Sequence, residues 1–228
     1  MCPFCYIGKR HFEAVLGQFS KAAEIELEWH SFQLDPTIPR TFEKRVNVYE
    51  YLANRKGISY EQSKSMHVRI IQMAKDAGLT YNFDKAIVAN SFDAHKVIQL
   101  AKTKGLGDAI EERLFLAYFT EGKDFGNHDT LIELGKEIGL TKAEVINAIE
   151  SDEFAYKVKQ DIQEAQHIGV TGVPFFVFDR KYAVSGAQPA TVFTQTLEKS
   201  FSEWRKINTE LVVERIDGSV CKLDGECN

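Results

Sequence analysis

The hydrophobic period of this chain switches twice, and the switches separate a strand-bearing unit from a long helical one that interrupts it. Between Glu24 and Leu34, Ile25, Leu27 and Trp29 alternate with Glu24, Glu26 and Glu28, the pattern of a strand buried on one side. The phase slips near His30 and Ser31, as at a bulge, and Asp35-Pro36 closes the run. From residue 36 to about 168 the spacing is helical, most clearly in the stripe Met66, Ile70, Met73, Ala74 and Ala77. Ser59 with Gln62, Thr130 with Glu133 and Thr141 with Glu144 have capping-box spacing, while Gly57, Gly78, Gly105, Gly122, Gly139 and Gly169 stand where helices should stop. Six or seven helices are expected, with apolar faces that need one another. Strand period returns at Pro174: Phe175 to Phe178, then Asp179-Arg180, then Lys181 to Ser185 read as a hairpin. Phe193, Leu197, Phe201 and Trp204, introduced by Pro189, mark a final amphipathic helix.

The expected organisation is a discontinuous α/β domain over residues 1–35 and 169–204, an all-helical insertion over 36–168, and a tail over 205–228 that is loosely docked. A content of 44% hydrophobic and 11% aromatic residues is ample for buried cores. The 28 basic and 33 acidic residues are scattered, giving a net charge of -5 with no basic block, so nucleic acid is a poor candidate partner. No apolar run approaches the ~20 residues of a membrane span. Nothing after Met1 resembles an export signal, so a cytoplasmic protein with no membrane partner is expected.

Four cysteines are too few for a disulfide framework, and they fall in two close pairs, Cys2 with Cys5 and Cys221 with Cys227. Phe12, Val15, Leu16 and Phe19 place Cys2 at the start of a helix running to about Phe19, with Pro3 in its first turn. Only a thiolate attacks a disulfide, and a helix N-terminus supplies the unpaired N–H groups and dipole that favour one. Cys2 is therefore the expected nucleophile. Cys5, one turn later and pointing inward, is the expected resolving thiol of a dithiol/disulfide cycle that needs no cofactor. The competing reading is half of a zinc site completed by Cys221 and Cys227, but the second pair is spaced too widely for a common zinc knuckle, so no metal is expected.

Cys2-Pro3-Phe4-Cys5-Tyr6 opening a helix, Gly169-Val170-Thr171-Gly172-Val173-Pro174-Phe175-Phe176-Val177 far downstream, and then Ala183 to Pro189 together resemble the DsbA-like family of disulfide oxidoreductases, with the FrnE-like branch most similar. Asn90 to His95 and the cysteine-bearing tail also fit. The resemblance implies a thioredoxin-like fold interrupted by a helical insertion. It implies that Pro174 is a cis-proline facing the dithiol and that Val173 offers backbone hydrogen bonds to an extended substrate. Pro3 and Phe4 fall where the family tunes its redox couple. Phe4 stands where strongly oxidising relatives carry a histidine, and it supplies neither charge nor proton. A Cys2 pKa below the free value of about 8.5 but above the ~3.5 of the most oxidising enzymes follows. The family also begins with a strand before the cysteine motif, where this chain has only Met1. One strand of the sheet is thus expected to be missing; a start further upstream could also carry an export signal, whereas a terminal amine at Met1 would lower the Cys2 pKa further.

Cys221 and Cys227 fit a second redox pair, a tail disulfide, a metal-responsive pair or spare thiols. His95, within the motif from Asn90, is a candidate neighbour of the dithiol or a helix-packing residue. His11, His30, His67, His128 and His167 show no metal-ligand spacing, and Glu24, Glu26 and Glu28 fit a solvated face. The expected function is a thiol-disulfide oxidoreductase acting on protein disulfides, with thiol- or disulfide-bearing proteins and glutathione as candidate partners. Two alternatives stand beside it. One is a glutathione-dependent isomerase or transferase of the kappa-class type, whose members usually carry serine where this chain has Cys2. The other is a metal- or redox-sensing cysteine module.

Overall fold

The computed structural model describes residues 1–42 and 44–209. Helix α1 spans Pro3–Leu16 and opens with proline in its first turn, where the missing N–H would have had no partner anyway. It stops three residues short of Phe19, which lies in the following turn. The strand expected from Glu24 to Leu34 does not form. Ala22–Glu24 is a 3₁₀ turn, and residues 25–34 pair with no strand among the described residues. The alternation is nevertheless real: Ile25, Leu27 and Trp29 are half-buried, while Glu24, Glu26 and Glu28 face solvent. Burial on one side dictates side-chain alternation, but a ladder also needs a neighbouring strand.

The named strands are β1, Phe175–Phe178, and β2, Tyr182–Ser185, paired antiparallel with Phe175 opposite Ser185 and Phe178 opposite Tyr182. Among the described residues they form a two-stranded sheet. Asp179 and Arg180 join them with φ of 49° and 53°. Positive φ at both central residues is the twist-matched geometry of a tight hairpin, and a short polar side chain such as Asp tolerates it.

Seven α-helices fill the middle of the chain: α2 Val48–Lys56, α3 Tyr60–Asp76, α4 Phe92–Lys102, α5 Gly107–Leu116, α6 His128–Glu137, α7 Lys142–Glu150 and α8 Asp152–His167. A π-helical turn, Ala117–Glu121, prolongs α5. Ser59 and Thr141 close capping boxes with Gln62 and Glu144. Thr130 does not cap; Asn127 does, accepting a hydrogen bond from the Thr130 N–H, so α6 begins two residues before Thr130. The six glycines expected at helix ends all have positive φ, from 64° at Gly57 to 98° at Gly139. The final helix, α9, is Ala190–Ile207.

Two cores result. The larger lies within the helical unit around Phe83, Phe119, Phe125, Leu131, Leu134 and Val145, all fully buried. The smaller joins α1, the hairpin and α9 through Phe12, Val15, Phe178, Val184, Phe193 and Leu197, with the Phe12 ring 6.0 Å from both Phe178 and Phe193. Helix α1 belongs to both, because Tyr6 and Ile7 pack into the first and Phe12 and Val15 into the second. Ion pairs fasten it further. The buried Lys9 meets Glu13, Asp108 and Glu112, and Arg10 and the Tyr6 hydroxyl both reach Glu112 on α5.

Candidate active site

Cys2 is the N-cap residue of α1, in extended geometry, and the Cys5 N–H donates to its carbonyl at 3.2 Å. The Cys2 thiol donates to the Val173 carbonyl at 3.3 Å, and the Val173–Pro174 peptide is cis. Gly8 allows this approach. A Cβ built there would stand 3.3 Å from both the Phe176 ring and the Pro174 ring, tighter than most side chains tolerate. The Val173 N–H makes no backbone hydrogen bond among the described residues.

The two thiols are driven apart in acidity. A hydrogen bond from the Cys5 thiol is the largest influence holding Cys2 down, to about 7; burial opposes it, and the backbone N–H groups of Cys5 and Phe4 assist. The same bond, then burial, pushes the Cys5 thiol well above the ordinary value. Cys2 lies in the interval expected from the sequence. Exposure, however, departs from expectation: Cys2 is only 9% exposed, whereas Cys5 keeps more of its residue surface. The Val173 loop lies over Cys2. Phe4 brings no side-chain charge and acts on Cys2 through its backbone N–H, while the Pro3 carbonyl is tied down by the Tyr81 hydroxyl at 2.7 Å.

A cavity of about 1170 Å³ opens beside the dithiol, between α1, residues 29–38, α2, α3, α4 and α5. Its lining is mainly apolar, including Phe32, Leu52, Met66, Ile70, Ile98 and Phe115, and Cys2, Cys5 and Val173 form part of its wall. This explains why Met66, the first residue of the apolar stripe on α3, is 45% exposed: it faces the cavity and not the core. His95 also lines it. Half-buried in α4, the imidazole is held neutral, at about 4, chiefly by desolvation, and its buried Nδ1 has no hydrogen-bond partner. Glu111, on α5, shares the cavity and carries a carboxyl pushed up to about 8 by burial. Sequence spacing gave no hint of it, because its neighbour Glu112 is a salt-bridged surface residue on the same turn.

Four of the remaining histidines have structural partners. His11 Nδ1 lies 2.8 Å from the Gln188 carbonyl, His30 pairs with Asp161, His67 bonds the Ser63 carbonyl and His128 meets Asp93. Glu28 is paired with Lys102 at 2.9 Å. Among the described residues no group of three or more His, Cys, Asp and Glu is placed to hold a metal. Cys221 and Cys227 lie outside the described residues.

A dithiol at a helix N-terminus, facing a cis-proline loop and backed by a hairpin and a flanking helix, defines a thioredoxin-type protein of thiol-disulfide chemistry. Residues 1–198 match the family described as the DSBA-like thioredoxin domain, and the chain belongs to that family. It is similar to the crystal structure of a probable DsbA oxidoreductase from Streptomyces coelicolor, with a TM-score of 0.82 and 34% identity, covering 100% of this chain and 94% of that one. The cytosolic disulfide reductase DsbM from Pseudomonas aeruginosa shares the fold at a TM-score of 0.62 and 19% identity, covering 89% of this chain and 95% of that one. In sequence, the chain is 27% identical over 208 residues to the uncharacterized protein YwbO of Bacillus subtilis, covering 90% of this chain and 94% of that protein. No helix among the described residues is long and apolar enough to cross a membrane.

Proposed function

We propose that this protein exchanges disulfides with extended, apolar, cysteine-bearing segments of other proteins, through a Cys2-Cys5 cycle. The observation that carries this reading is the split acidity of two adjacent thiols on the wall of an apolar cavity. Near neutral pH Cys2 is partly thiolate, while Cys5 is held as a thiol until it is needed. In the reducing direction Cys2 attacks one sulfur of a substrate disulfide, whose other sulfur leaves as a thiolate. Cys5 then loses its proton and attacks Cys2, forming the Cys2-Cys5 bond and releasing the first substrate sulfur. Two electrons pass from the dithiol to the substrate, and oxidation runs the same steps backwards. The Val173 N–H, without a backbone hydrogen bond among the described residues, supports strand-like docking of the substrate backbone, with side chains entering the cavity. A Cys2 pKa of about 7 supports a couple milder than that of the strongest oxidases, where it is ~3.5.

A second reading has its own support. Lys56 and Arg69 line the cavity and make no ion pair among the described residues, which suits the carboxylates of glutathione. DsbM, which shares the fold, has also been solved with GSH. One experiment separates the two. Cys5→Ser removes the resolving thiol, so mixed disulfides through Cys2 should accumulate and can be identified by mass. Recovery of client proteins supports the first reading, glutathione alone the second, and no adduct on Cys2 overturns both.

A further inference from the structure

The first turn of α1 is held from the helical unit as well as from within. The Tyr81 hydroxyl, on the loop between α3 and α4 and 78 residues away in sequence, donates to the Pro3 carbonyl at 2.7 Å. That carbonyl and the Phe4 N–H belong to one planar peptide unit, so what fixes or polarises one end acts on the other. The Phe4 N–H is in turn one of the groups that favour the Cys2 thiolate. Two hydrogen bonds therefore lie in series, from the Tyr81 hydroxyl through a single peptide to the Cys2 sulfur. A donor on the oxygen draws electron density from the nitrogen and makes its N–H the stronger donor.

The surroundings keep that hydroxyl in place. Tyr81 is 6% exposed, and its ring is stacked on Phe119 with centroids 4.5 Å apart, in the group that also holds Tyr6. On either side of Tyr81 the loop is tied to the π-helical turn. The Thr120 hydroxyl donates to the Thr80 carbonyl at 2.7 Å, and the Asn82 N–H donates to the Phe119 carbonyl at 2.6 Å. Such turns are rare and recur at functional sites, and here one turn supplies both grips. Burial, then the charge of Cys2, keeps the phenol from ionising, so it stays a donor in neutral solution. Tyr6, Cys5 and Arg10 are the other titratable groups that face it.

We propose that Tyr81 is a positioning residue for the dithiol, one that strengthens the Phe4 N–H toward the Cys2 sulfur by holding the Pro3 carbonyl. The assignment rests on the dithiol cycle set out above. It gives the helical unit a part in the chemistry beyond walling the cavity.

The test follows two nuclear magnetic resonance signals against pH in the reduced protein: the Cβ carbon of Cys2, which reports its ionisation, and the amide proton of Phe4. Tyr81→Phe keeps the ring and removes the hydroxyl, so its Cys2 thiolate should bind a proton about threefold more tightly, and the Phe4 amide proton should move upfield. 3-Fluorotyrosine placed at Tyr81 is a more acidic phenol and a stronger donor, and should move both signals the other way. Loosened packing cannot produce that opposite sign. Tyr6→Phe takes a hydroxyl from the same ring stack, at Glu112 and not at Pro3, and should leave the Cys2 titration where it was. An unmoved Cys2 titration in the two Tyr81 proteins overturns the assignment, and so does an equal shift in Tyr6→Phe. Should Tyr81→Phe fail to fold, the fluorinated protein decides by itself, an unmoved or upward titration counting against the assignment. The parent's reaction with 5,5′-dithiobis(2-nitrobenzoic acid) keeps the two failures apart: release of fewer than two coloured thiolates fails the dithiol cycle, whereas the titrations fail Tyr81 alone.

Discussion

At the scale of single residues, the proposed chemistry rests on two adjacent sulfurs driven apart in acidity. Interaction with the Cys5 thiol makes Cys2 acidic and leaves Cys5 itself reluctant to ionise. Removing the donor therefore has a definite sign: in Cys5→Ala the Cys2 titration should climb from about 7 toward the ordinary thiol value. Each unit of that climb corresponds to about 1.4 kcal/mol of lost thiolate stabilisation. Ultraviolet absorbance of the thiolate against pH measures it, and an unmoved titration would assign the acidity of Cys2 to the helix terminus instead. Cys2 and Cys5 stood out as a pair by their spacing, whereas Pro174 was singled out only through the family resemblance. Glu111 stood out in neither way. It sits in a Glu-Glu pair on an amphipathic helix, and only packing decides which of the two turns inward.

At the scale of elements, the approach of α1 to the loop before β1 decides whether Cys2 meets Val173 at all. Gly8 leaves the space for it, with the Phe176 and Pro174 rings at 3.3 Å from where a Cβ would stand. Gly8→Val should force the loop away, destabilising the protein by about 1–3 kcal/mol through overpacking. It should also slow exchange with protein disulfides. Denaturant unfolding and a turnover assay on one preparation check both effects; full stability with normal turnover would show that the loop yields freely. Sequence periodicity led to an expectation of six or seven middle helices, the hairpin and α9, since each carries an apolar face of its own. It placed a strand over residues 24–34 because alternation reports one-sided burial and is silent about a neighbour. The start of α6 was misplaced for a related reason: Asn127 and Thr130 are both good cap residues, and the capping-box spacing to Glu133 favoured the wrong one.

At the scale of the whole molecule, the interruption of a thioredoxin-like unit by a helical one was readable from the two switches of period, and the cavity between α1 and the helices was not. A cavity is made by residues from many separate segments, and each of its apolar side chains looks, in sequence, like part of a core. The double membership of α1 in both cores has a further consequence. A helix clamped from two sides cannot open by local fluctuation, so its amide hydrogens should exchange with deuterium only when the entire protein unfolds. Protection along Ile7 to Val15 matching the global unfolding free energy is the expected result, and faster exchange there than in α6 or α7 would contradict it. A reactive sulfur seated on so slow an element keeps its geometry between encounters, leaving motion to whatever arrives.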